Sequence, residues 1–189
     1  MPEAATFQMR ECVSASEFEV KSSSTRKKTV ILGLGNTLLG DEGVGVQSVR
    51  YLQSNYDQRP DLQLLDGGTL SFTLVEHIEE ADELIVIDAT QMYCVPGTVR
   101  VFQDAEMDRY VMAPKKSSVH EVSLADLLVI SHLMGHLPPR RVLIGIQPGT
   151  IDWSETLTEP VRQAIPLACE QAIRLITQWR QEVIGCESL

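Results

Sequence analysis

The sequence predicts an α/β fold: one domain, a three-layer sandwich in which a mostly parallel sheet is covered by helices on both faces. Three observations carry this expectation. Short apolar runs alternate with stretches of helical period, the pattern of successive strand–helix units. The runs Thr29–Leu34 (TVILGL) and Leu84–Ile87 (LIVI) are apolar on both faces, as strands of a sheet buried on both sides are. The 189 residues, 43% apolar and 22% charged, suit one ordinary globular core, and no internal repeat divides them.

The elements follow in order. Residues 1–28 are polar and serine-rich and end in the basic cluster Arg26, Lys27, Lys28; with no sustained period they form a flexible N-terminal tail, and the domain spans 29–185. Thr29–Leu34 is the first strand. After the loop GNTLLGDEG, Val44, Val46, Val49 and Leu52 lie on one side of a helix reaching about Tyr56. A second strand near Leu62–Leu65 stops at the turn Asp66-Gly67-Gly68, and Leu70, Leu74, Val75 and Ile78 mark a second helix. Leu84–Ile87 is the third strand and ends on Asp88. Pro96–Phe102 is a turn followed by an alternating strand at a sheet edge. Residues 104–121 show no period and form the longest loop. Ser123 caps a helix through Leu133, with Gly135 at its end. Val142–Ile146 is another strand. A long helix opens at Thr158 and runs to about Glu182; Pro160 fits its first turn, and Pro166 should kink or split it.

Composition excludes several functions. A formal net charge of −10 repels phosphate backbones, so nucleic acid is not an expected partner. No apolar run approaches the ~20 residues that span a bilayer, and no secretory signal opens the chain, so membrane insertion and export are not expected and the cytoplasm is. The four cysteines are scattered, form no CxxC pair, and suit free thiols in a reducing compartment.

In an open parallel sheet the functional crevice lies beyond the carboxyl ends of the strands. Strand one exits toward Asp41 and Glu42, strand two at Asp66, strand three at Asp88. Four carboxylates at one rim repel unless they share a cation or a proton, which points to a cation site. Imidazole would shift its preference from magnesium or calcium toward nickel or zinc. Of the four histidines, His120, in the long loop, is the one that can fold over the rim. His132 and His136 stand four apart in HLMGH but lack the glutamate of HExxH and lie where the helix ends, so they are solvated; His77, among Glu76, Glu79 and Glu80, is a surface residue. A dinucleotide-binding enzyme is the obvious rival. GLGNTL, however, has Leu38 where GxGxxG needs its third glycine, and Asp41-Glu42 would repel a pyrophosphate at the helix start. The glycines are instead architecture that presents Glu42. No GxSxG nucleophile elbow is present, and a Ser118–His120 pair rests on proximity alone, so a hydrolase here would use an activated water or a metal-polarised carbonyl.

The strings ILGLGNTLLGDEGVGV, LLDGGT, LIVIDA, PGTV, SSVHEVSLADLL and VLIGIQP resemble, in that order, the nickel–iron hydrogenase maturation endopeptidases, over nearly all of the chain from Thr29. The phrase GHLPPRRVLIGIQP is most similar to the uptake-hydrogenase branch. The resemblance implies a metal-recognising set of Glu42, Asp88 and His120, with Asp66 as a further site residue and either aspartate as general base. It also implies a substrate, the hydrogenase large-subunit precursor, from which a C-terminal extension is removed once nickel has been inserted. The nickel would be carried by that precursor. The alternative is a chaperone that holds the nickel-loaded subunit through the same ligands without cutting it.

Overall fold

A computed structural model describes residues 27–57, 59–69, 71–113 and 123–186, with side chains through Glu182. Five strands form one sheet: β1 (Thr29–Leu34), β2 (Leu62–Gly68), β3 (Glu83–Ala89), β4 (Val99–Gln103) and β5 (Arg140–Ile146), in the order β2-β1-β3-β5-β4. All neighbours pair in parallel except the edge strand β4, which runs antiparallel to β5. The predicted α/β sandwich is the fold found.

Chain direction decides the layers. From β1 the chain crosses to β2 through α1 (Val44–Asn55), then reverses past β1 to β3 through α2 (Leu74–Glu79). Right-handed crossovers made in opposite directions put their helices on opposite faces. On one face α1 and α5 (Glu159–Cys186) pack on Ile31, Ile85, Ile87, Val142 and Ile144. On the other, α2, α3 (Ala105–Val111) and α4 (Leu124–Leu133) cover Val30, Leu32, Leu84, Val86 and Leu143. Every residue of β1 is buried, which is why it reads as apolar without alternation.

Several boundaries differ from the sequence expectation. β2 does not stop before Asp66-Gly67-Gly68 but runs through it, because a bulge opposite Gly33 and Leu34 absorbs one residue and lets pairing continue to Gly68. α2 starts only at Leu74, and Leu70 lies outside the described residues. Residues 104–113 are not loop: Ala105–Val111 form α3, anchored by the single deeply buried Met107, too few apolar positions to show a period. Pro166 does not split α5, which continues as one helix through Cys186. The Ser123 cap is as expected, a reciprocal capping box with Asp126. Of the expected tail, residues 1–26 lie outside the described residues; the Lys28 amide donates to Asp82 Oδ2 at 2.7 Å, and the Lys27 carbonyl accepts from Arg180 at 3.0 Å.

Those contacts belong to a polar network at the amino ends of the strands. Fully buried Glu83 accepts from Arg180 at 2.6 Å and from Thr29 Oγ1 at 2.7 Å, and Arg140 stands 3.6 Å away. Arg180 also lies 3.5 Å from Asp61, itself paired with Arg59 at 2.9 Å. The network ties α5 to β1 and β3 at the end of the sheet opposite the crevice.

Candidate active site at the carboxyl edge of the sheet

The reversal of chain direction on either side of β1 makes the loops after β1 and β3 diverge, and the crevice between them is where such sheets bind ligands. Glu42 enters it on a single 3-10 turn, Gly40–Gly43, that leads into α1. Glycine lets this turn sit low. Gly35 has φ +123°, and a Cβ there would stand 1.8 Å from the Glu42 carbonyl oxygen; one on Gly45 would stand 2.1 Å from the carbonyl oxygen of Ile87. The turn therefore packs against the end of β3, where half-buried Asp88 emerges. The expectation that the glycines present Glu42 holds in this geometric sense.

The four-carboxylate rim does not survive intact. Asp41 turns inward and is fully buried, accepting from the amides of Gly149 (2.8 Å), Thr150 (2.9 Å) and Thr158 (2.6 Å) and from Thr158 Oγ1 (2.8 Å). Burial pushes its pKa up, but these hydrogen bonds together outweigh it and hold the carboxyl below its ordinary range. It needs no cation. Its task is to clamp the 149–158 loop onto the Glu42 turn, a junction continued by the Gly40 amide donating to the Ser154 carbonyl at 2.7 Å. Asp66 is exposed and has its own cation, Arg50 of α1, at 3.1 Å. Its register partner is Gly33, which in turn pairs with Ile87, so Asp66 faces α1. Asp88 continues the row Leu84, Val86 and faces the α2–α4 layer. The two aspartates thus leave the sheet on opposite faces, and Glu42 and Asp88 are the carboxylates left at the crevice.

His120 lies outside the described residues. Among the described residues no three His, Cys, Asp or Glu side chains gather as a metal-holding group. His132 and His136 are exposed, as expected. His77 is half-buried rather than a surface residue, with Nδ1 3.4 Å from Gln63 Nε2.

Gln147 was not singled out from sequence. It is buried, accepts from the Met92 amide at 2.7 Å and donates through Nε2 to Gln91 Oε1 at 2.6 Å, so it fixes the chain just beyond Asp88. Next to it, Arg100, Phe102 and Tyr110 stack: the guanidinium carbon lies 4.7 Å from the Phe102 centroid, and the two rings are 4.5 Å apart. Tyr110 donates to the Gln91 carbonyl at 3.0 Å. Burial, and after it the charge of Asp88, raise the Tyr110 pKa above the ordinary phenol value. No local signal reveals the hydrogen-bonded partners of Gln91, Met92 and Gln147, which lie 19 to 56 residues apart.

The model of the hydrogenase maturation protease family (HycI) matches residues 46–175. The chain belongs to this family. It is 40% identical over 153 residues to the hydrogenase expression/formation protein HupD of Rhizobium leguminosarum bv. viciae, covering 80% of this chain and 75% of that one. The hydrogenase 2 maturation protease of Escherichia coli K12 is 31% identical over 163 residues, covering 86% of this chain and 98% of that one. Among solved structures, the hydrogenase maturating endopeptidase HybD from E. coli superposes with a TM-score of 0.74 at 32% identity, over 80% of this chain and 93% of that one. As a hydrogenase maturation protease the protein is a hydrolase, and no helix among its described residues is long and apolar enough to cross a membrane.

Proposed function

We propose that this maturation protease is the endopeptidase that removes the C-terminal extension of the nickel–iron hydrogenase large-subunit precursor after nickel insertion. Glu42, Asp88 and His120 recognise the nickel, which arrives as part of the substrate rather than as a resident cofactor. The observation that carries this reading is the pair Glu42 and Asp88, half-buried at the switch point of the sheet in a chain of this family. Two carboxylates and an imidazole form a donor set that suits nickel. A precursor gripped by its metal presents its scissile carbonyl in a fixed orientation, the usual source of rate in such sites. Asp88, facing the same layer as the cleft described below, is the candidate general base. Asp66, ion-paired with Arg50 on the other face, holds the end of β2 in place.

The test mixes the purified protein with nickel-loaded and nickel-free precursor and follows intact mass. Loss of a C-terminal peptide from the nickel-loaded form alone is expected. Glu42→Ala should lose at least a hundredfold in cleavage rate while keeping the wild-type circular dichroism spectrum, because the side chain sits outside both cores. Stable binding without a change of mass would instead make the protein a chaperone of the loaded subunit.

A further inference from the structure

A cleft of about 520 Å³ opens between β4, α3 and the chain leaving β3. Its upper wall is Gln91, Met92 and Tyr93, the residues that follow Asp88 and Ala89 out of the sheet, and its lower wall includes Arg109 and Tyr110. Strand register joins it to the candidate active site. Asp88 pairs with Gly145, and Gly145 pairs with Arg100, so Asp88 and Arg100 stand in one transverse row on one face. Two strand spacings separate them, about 10 Å. Gly145 contributes no side chain to that row, and Thr90 covers it: a Cβ on Gly145 would meet the Thr90 side chain at 2.7 Å.

Charge and shape define what fits. The chain as a whole carries −10, yet this cleft is lined by two arginines against one acid, Glu106. Arg100 is neutralised by Glu106 at 2.8 Å and stacked on Phe102. Arg109 spends only its Nε, on the Ala105 carbonyl at 3.1 Å, and makes no ion pair among the described residues. Around it lie aromatic and thioether surfaces, including Tyr93, which is 92% exposed. An extended peptide with apolar side chains and a carboxylate matches such a lining, because a guanidinium at a partly apolar wall recognises carboxylate in bidentate fashion.

We propose that this cleft is the subsite for the substrate segment on the far side of the scissile bond, the peptide that departs, and that Arg109 receives a carboxylate of that peptide. The assignment rests on the endopeptidase reading above. Arg109 acts as a binding residue, distant from the bond that breaks.

The experiment measures cleavage of the nickel-loaded precursor by wild type, Arg109→Gln and Arg109→Lys, and inhibition by a synthetic peptide with the released sequence. Arg109→Gln is expected to raise KM about tenfold with a much smaller change in kcat, and to abolish inhibition by the peptide; Arg109→Lys recovers part of both. Amidating the carboxylates of the peptide should weaken inhibition of the wild type alone. Unchanged KM in Arg109→Gln together with equal inhibition of both proteins overturns the assignment. So does Arg109-dependent binding of the already processed large subunit, because the cleft would then hold the body of the partner. If the wild type cuts nothing, the endopeptidase reading fails, and calorimetric titration of the peptide into wild type and Arg109→Gln still decides what the cleft binds.

Discussion

Two adjacent acids, Asp41 and Glu42, are separated by one peptide bond and by opposite roles. Asp41 is wholly enclosed by donors from the 149–158 loop, whereas Glu42 stands at the crevice. Removing the Asp41 carboxylate takes the shared acceptor from three part-buried amides and a hydroxyl; water re-satisfies the outer ones, and a donor that stays unpaired costs roughly 1–3 kcal/mol. Asp41→Ala should therefore destabilise the fold by about 3 kcal/mol at neutral pH, measured by urea unfolding. The sign of its pH dependence follows from the lowered folded pKa. The carboxylate's contribution is complete above its ordinary unfolded value, near ~4, and is lost as pH falls through the lower folded value. The gap between wild type and Asp41→Ala should thus be constant above about pH 5 and shrink in acid. A gap that widened in acid would contradict the assignment. Cys169 shows burial acting alone: enclosed in the core, its thiol is pushed up to about 12 and is no nucleophile at neutral pH.

Between elements, close approach of backbone decides where the site lies. α1 meets the tips of β1 and β3 through glycine: a Cβ on Gly33 would stand 2.3 Å from the Gly45 carbonyl oxygen, and one on Gly45 would strike Ile87. At Gly35 both the conformation and the space forbid a side chain. Gly35→Ala should push the Glu42 turn away from β3, lowering precursor cleavage at least tenfold, and cost about 2–3 kcal/mol of stability by overpacking and strain. Near-normal cleavage by a folded Gly35→Ala protein would show that the height of this turn is not what sets the site. The second strand teaches a related lesson. Its DGG sequence looks like a stop signal, yet Asp66 still pairs with Gly33 and reaches Arg50, and the bulge at Gly67 lets pairing run on to Gly68.

At the scale of the molecule, a buried ionic network and the candidate site occupy opposite ends of the sheet. The Glu83–Arg180–Thr29 network closes the amino ends of the strands, and the acidic crevice opens at the carboxyl ends. Glu83→Gln leaves Arg180 without its close buried partner and should cost about 3 kcal/mol, within the range for breaking a buried pair. Cleavage of precursor by the folded variant should stay within twofold of wild type. A large fall in kcat without loss of stability would mean that the two ends communicate. The same network includes residues ahead of Thr29, since the carbonyl of Lys27 and the amide of Lys28 are both engaged.

Periodicity and residue type alone determined the α/β class, the buried parallel strands, the edge position of β4, the Ser123 cap and the strand-end carboxylates. Each of these is written within a window of a few residues, where burial on one or both faces dictates the apolar pattern and a cap needs a hydroxyl beside a helix start. The family likeness, too, was legible in the ordered motifs from ILGLGN to VLIGIQP. Tertiary structure alone decided which acids remain at the crevice. Asp41 is withdrawn by donors 108 to 117 residues away, and Asp66 is turned to the opposite face from Asp88 by strand register. It also decided the Arg100–Phe102–Tyr110 wall and the reach of Gln147 to the chain beyond Asp88. The physical reason is the same throughout: a carboxylate's role is set by the donors that surround it, and those come from segments that sequence distance keeps apart and the sheet brings together.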